Sequence, residues 1–210
     1  MGVAALLAIS EGNLSRAALL MLVALAIDSV DGAMARAVEV ERVLPGFDGR
    51  RLDDIVDYFN YVIVPVVFMA GAGSLPHWTW TAVPVLASGY GFSLSAAKTD
   101  DGFFLGFPSY WNALALYLWL LEVPPVAGAA IVLFLAAAVF VPLKYIYPSH
   151  LRVWYRTTLA LSAAWMIWMA LCVADPERAR SLPIVELSLA YPLYYAVLSF
   201  WLGGWHRPSP

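Results

Sequence analysis

Apolar residues run in long blocks along this chain, with short polar segments between them. The blocks fall roughly at 2–10, 16–36, 54–72, 77–97, 109–122, 125–143, 154–174 and 184–203. Blocks this long and this poor in charge predict membrane-spanning helices. The pattern therefore predicts an all-α fold, a polytopic membrane helix bundle of about eight transmembrane helices. No polar stretch is long enough for a second domain, so residues 1–210 read as a single integral membrane domain. The first block is the short one. About ten residues rise only about 15 Å, against a hydrocarbon core of about 30 Å. Met1 is then expected to fall inside a longer first helix. In that case roughly 20–40 residues of interfacial helix and span lie upstream, and the chain as written is weakly active or inactive. The other possibility is a genuine half-helix.

Composition agrees with the pattern. Of 210 residues, 62% are hydrophobic and 13% charged, and the mean hydropathy is +0.74. A soluble domain carries about a quarter charged residues. The net charge of −3 gives no reason to expect a nucleic-acid partner. The single cysteine, Cys172, lies within an apolar block, so there is no disulfide framework and its expected role is to fill space between helices. "MGVAALLAIS" lacks the basic start of a secretory signal. With eight spans, Arg36, Arg42, Arg50, Arg51, Lys98, Lys144, Arg152, Arg156 and Arg207 lie on one side, and Arg16, Arg178 and Arg180 on the other. The positive-inside rule then places both termini and the 37–53 loop in the cytoplasm.

One block ends in "DSVDGAMAR", residues 28–36. A carboxylate near the bilayer centre costs on the order of 2.5–3.5 kcal/mol on insertion scales, and this block carries two. Asp28, Asp31 and Ala35 stand at helical offsets of three and seven, hence on one face. The next block opens with "GRRLDDIVDYFNYV", in which Asp53 and Asp57 are four apart and share a face. A short connection allows the two helices to be antiparallel neighbours, so four carboxylates can meet near the cytoplasmic surface. Alone they would repel one another. Hard divalent cations, which favour carboxylate oxygens, would remove that repulsion. The plainer reading, interfacial charges capped or paired with Arg36, Arg50 and Arg51, accounts for one aspartate better than for four at these spacings.

"DSVDGAMAR" followed by "GRRLDDIVD" resembles the signature of the CDP-alcohol phosphotransferase family, D-x-x-D-G-x-x-A-R then G-x-x-x-D-x-x-x-D. Every defined position is present: Asp28, Asp31, Gly32, Ala35, Arg36, Gly49, Asp53 and Asp57. Twelve residues separate Arg36 from Gly49. That longer spacing is similar to the bacterial branch of the family that moves a phosphatidyl group from CDP-diacylglycerol to choline. "RVLPGFDGRRLDDIVDYFNYVIVP" and "KTDDGFFLGFPSYWN" also look like segments of that branch.

The resemblance implies an enzyme of the bacterial inner membrane with its active site facing the cytoplasm, often dimeric, working with Mn²⁺ or Mg²⁺. It implies Asp28, Asp31 and Asp53 as metal ligands, and Asp57 as the general base for the choline hydroxyl that also touches a metal. Asp31, Gly32, Ala35, Arg36 and Gly49 would line the nucleotide and phosphates, with the two glycines letting a nucleotide lie against the backbone. Arg50 and Arg51 read equally as attractants for the anionic headgroup or as ordinary positive-inside charges. Asp54 lies off the Asp53–Asp57 face and stays outside the set.

Choline carries a fixed positive charge, and aromatic faces are the usual device for holding one. Tyr58, Tyr61 and Trp111 are the expected ring partners, with Phe103, Phe104 and Tyr110 nearby in sequence. Lys98, Asp100 and Asn112 are given an unspecified substrate role by the resemblance. His77, His150 and His206 lack ligand spacing and read as solvated. Two alternatives stand beside this reading. One is a related transferase using serine, glycerol 3-phosphate or inositol phosphate, although the aromatic segments after the motif suit choline better than a phosphorylated acceptor. The other is a transporter or catalytically silent membrane protein, which leaves the paired motif unexplained.

Overall fold

A computed structural model describes residues 1–37, 46–94, 97, 99, 101–148, 151 and 153–205, and in 31–37 the backbone alone. Each apolar block becomes helix. Helix α1 (Gly2–Ser10) turns at Gly12 into α2 (Leu14–Ala37), whose first turn is capped by Asn13 Oδ1 accepting from the Arg16 N–H at 3.0 Å. Next comes one continuous helix built of three pieces: α3 (Gly49–Tyr58), a π-helical turn (Phe59–Ile63) and α4 (Val64–Gly71). A 3₁₀ turn (Trp78–Thr81) leads into α5 (Ala82–Ser93), followed by α6 (Trp111–Leu120) and α7 (Pro125–Val139). The chain closes with α8 (Tyr155–Ala174), α9 (Pro176–Ser181), α10 (Ile184–Ser188) and α11 (Ala190–Leu202).

Among the described residues, three helices are long and apolar enough to cross a membrane: Gly49–Gly71, Tyr155–Ala174 and Ile184–Leu202. Helices α6 and α7, apolar but with 10 and 15 residues, rise only about 15 and 22 Å. Their limits are local. Pro108 and Ser109, the latter at φ 58°, precede α6; Glu122 at φ 49° and the Pro124–Pro125 pair separate it from α7. Pro124 cannot donate into a helix and Pro125 opens α7, so the blocks 109–122 and 125–143 form two separate short helices.

The all-α expectation also needs one correction. Phe103–Leu105 (β1) pairs antiparallel with Lys144–Ile146 (β2), in the register Phe103↔Ile146, Phe104↔Tyr145 and Leu105↔Lys144. The ribbon is packed tightly onto α7: Gly106, at φ 78°, leaves no room for a Cβ beside the Val139 carbonyl. Three-residue strands carry too little pattern to be seen in a sequence rich in apolar runs.

Two features hold the helices together. The first is close approach by small residues: Gly2, Ala5 and Ala8 form the buried face of α1, and a Cβ on Gly2 would overlap the Phe59 ring and Asn60 Oδ1. Small faces let helix backbones approach where lipid offers no hydrophobic drive. The second is polar pairing inside the bundle. Trp111 Nε1 and the Ser109 hydroxyl both donate to Ser88 Oγ, at 2.7 and 2.9 Å. Trp165 Nε1 donates to Tyr117 Oη at 2.8 Å, and Tyr117 shares a further hydrogen bond with Ser188. Cys172 is buried in this core, while Leu86, Phe134, Leu171 and Phe200 stand outward and exposed, as lipid-facing side chains do.

Candidate metal centre

The site is built where the later part of α2 meets the start of α3. Gly46, at φ 93°, turns the chain toward α3, and Asp48 caps that helix by accepting from the Arg51 N–H at 3.0 Å. Asp48 thereby sets the first helical residue at Gly49 and the phase of everything after it. Asp53 and Asp57 follow one turn apart. Asp28, from α2, completes a cluster in which one carboxylate oxygen from each of Asp28, Asp53 and Asp57 lies within 4.8 Å of the others. All three side chains are half-buried.

Charges this close are costly if left alone. Two unit charges 4.8 Å apart repel by roughly 3 kcal/mol at an effective dielectric of about 20. The donor set fits a hard divalent cation. Opposite oxygens on a Mg²⁺ or Mn²⁺ ion with metal–oxygen distances of about 2.1 Å lie about 4.2 Å apart, so the observed spread needs only a small contraction. Nitrogen and sulfur donors do not enter the cluster among the described residues.

Tyr61 adds a fourth group. Its hydroxyl donates to Asp28 Oδ2 at 2.6 Å, linking the 49–71 helix to α2. The helix is wide at this point, the Val64 N–H reaching back five residues to the Phe59 carbonyl. Pro65, without an N–H, cannot make the regular bond to the Tyr61 carbonyl, and a π turn is one way to absorb that loss.

The remaining expected site residues divide. The side chains of Asp31, Gly32, Ala35 and Arg36, on the last turns of α2, lie outside the described residues, as do Arg42, Lys98, Asp100, His150, Arg152, His206 and Arg207. Among the described residues nothing lies within 4 Å of a Cβ placed on Gly49, while Arg50 and Arg51 are exposed. Asp54 is not part of the cluster. Tyr58 donates its hydroxyl to the Val85 carbonyl at 2.8 Å and takes the edge-to-face contact of Phe92, tying α3 to α5. Trp111 is fully buried, with its indole N–H given to Ser88. Asn112 is buried, its Oδ1 accepting from the Ala113 N–H. Sequence reading missed two participants: Asp48, whose signal was an Asp directly before the helical run, and the Tyr61–Asp28 bond, which has no local signal.

Three helices long and apolar enough to cross a bilayer, one of them carrying two of the three clustered carboxylates, define a membrane protein with a candidate metal site. No protein-family model matches the chain. Curated relatives do. A phosphatidylcholine synthase of Legionella bozemanae is 36% identical over 211 residues, covering 95% of this chain and 96% of the relative. The Legionella pneumophila enzyme of that name is 39% identical, over 87% of this chain and 75% of the relative. The Pseudomonas aeruginosa one is 35% identical, over 94% and 84%. The chain belongs to the phosphatidylcholine synthase family.

Proposed function

We propose that the protein transfers the phosphatidyl group of CDP-diacylglycerol to choline, giving phosphatidylcholine and CMP. The observation that carries the proposal is the convergence of Asp28, Asp53 and Asp57 from two helices at the positions of the aspartate motif. The choline oxygen bonds to the phosphorus that bears diacylglycerol, and the bond from that phosphorus to the CMP oxygen breaks. Asp57 accepts the hydroxyl proton, and CMP leaves with the electron pair. Asp28, Asp31 and Asp53, with Asp57, hold Mn²⁺ or Mg²⁺. The cation supplies neutralisation of the charge that builds on the pyrophosphate.

Gly32, Ala35, Arg36 and Gly49 are assigned to the nucleotide and its phosphates. Among the described residues nothing crowds the backbone at Gly49, which supports this for one of them, because a ligand can approach there. For choline, Tyr58 is the favoured ring. It follows Asp57 directly, and its bond to Val85 and its contact with Phe92 hold the ring still, so little rotamer entropy is lost on binding. Tyr61 and Trp111 are buried, whereas Tyr58 keeps part of its surface open. The excess of Lys and Arg on one set of connections supports a site on the cytoplasmic face of a bacterial inner membrane.

The test is one assay: CDP-diacylglycerol, labelled choline and the full chain in detergent–lipid micelles, with Mn²⁺ or with chelator. Labelled phosphatidylcholine that requires the cation is the expected product. Formation of product in excess chelator removes the metal from the reaction, and transfer to serine or glycerol 3-phosphate in place of choline reassigns the acceptor.

A further inference from the structure

Tyr61 is 8% exposed and lies inside the π-helical turn, one turn beyond Asp57. The 2.6 Å distance from its hydroxyl to Asp28 Oδ2 is that of a charge-assisted O–H···O⁻ bond. A phenol has one hydrogen to give, so it engages one oxygen of Asp28 and fixes the plane of the carboxylate. Being neutral, it does this without cancelling the negative charge that a cation needs, as an arginine or lysine in the same place would. The bond also crosses between the two elements that carry the cluster, α2 and the 49–71 helix. Irregular π turns occur often at functional sites, and here one sits between the last carboxylate and Pro65.

We infer that Tyr61 is a positioning residue of the cation site: its hydroxyl holds Asp28 in the orientation in which Asp28, Asp53 and Asp57 ligate together. The inference rests on the metal reading of the proposed function, and it moves Tyr61 from the choline pocket to the support of the metal ligands. Partners of this kind are worth about 10–100-fold in metal affinity.

The experiment compares wild type, Tyr61→Phe, Asp28→Ala and the double variant as full chains in lipid nanodiscs. Mn²⁺ binding is read by loss of the free-ion electron-spin signal, without substrate, and KM values are read separately at saturating Mn²⁺. Tyr61→Phe keeps the aromatic face and removes only the hydroxyl. It is expected to weaken Mn²⁺ binding at least about 10-fold, leave the choline KM unchanged, and recover turnover at high Mn²⁺. In the Asp28→Ala background the same change is expected to have no further effect on Mn²⁺ affinity, because it acts through Asp28. Unchanged Mn²⁺ affinity in Tyr61→Phe, or an equal loss in both backgrounds, overturns the inference while leaving the proposed function standing. Absence of Mn²⁺ binding to wild type overturns the metal reading and the inference together. A second measurement does not depend on how well the variant folds. Fluorotyrosine at position 61 keeps the hydroxyl, and its fluorine resonance is expected to move on addition of Mg²⁺ and not of choline; a shift with choline alone overturns the inference.

Discussion

Asp28 and Asp57 come from different helices, yet a carboxylate oxygen of each lies within 4.8 Å of the other and of Asp53. Their roles separate by chemistry. Asp57→Asn keeps an oxygen that a cation can use but cannot take a proton, so turnover is expected to fall by about 10²–10⁴ in a protein that still folds. Asp28→Ala and Asp53→Ala are expected to lose turnover and to bind Mn²⁺ much more weakly than wild type, at a still measurable affinity. Near-normal turnover in Asp57→Asn, measured with labelled choline, would remove it from the base role.

Tyr58, the ring proposed for choline, is held by its hydrogen bond to Val85 and its contact with Phe92. Tyr58→Leu is expected to raise the choline KM by roughly 5–30-fold, the equivalent of 1–2 kcal/mol of cation–π attraction. The KM for CDP-diacylglycerol should stay the same, and Tyr58→Phe should damage choline binding less than Tyr58→Leu. Equal rises for both substrates would show that Tyr58 serves the packing of α3 on α5 and not the acceptor.

Ser88 is fully buried and accepts from both Trp111 and Ser109. Ser88→Ala leaves two buried donors without their acceptor, at a cost of about 1–3 kcal/mol for such a loss. The expected outcome is a lower melting temperature in detergent with an unchanged choline KM. A selective rise in that KM would return Trp111 to the choline pocket.

Asp101 and Lys144 form an ion pair at 2.6 Å beside the β ribbon, outside the candidate spans. The hydrogen bonds from Lys144 and then Thr99 hold the Asp101 carboxyl below its usual value of 3.8. A depressed carboxylate contributes stability above its unfolded value and loses it as pH falls through its folded value. The difference in melting temperature between wild type and Asp101→Asn should therefore be steady at neutral pH and shrink only below about pH 4. Asp101 is 54% exposed, so solvent screening limits the effect to about 1 kcal/mol or less. A difference that grew in acid would contradict the pairing.

The sequence by itself determined the helices and the carboxylates, because both are written in short-range spacing. Apolar blocks bury or face lipid wherever they lie, and residues three, four or seven apart share a helix face whatever the helix packs against. The tertiary structure alone decided two other things. It decided which aromatic ring serves what: Tyr58, Tyr61 and Trp111 look alike along the chain, and only helix packing sends their polar atoms to Val85, Asp28 and Ser88. It decided that Phe103–Leu105 finds Lys144–Ile146, a pairing between segments too short to announce themselves. Periodicity is a property of neighbours in sequence, whereas a hydrogen bond between helices depends on the angle and depth at which they meet.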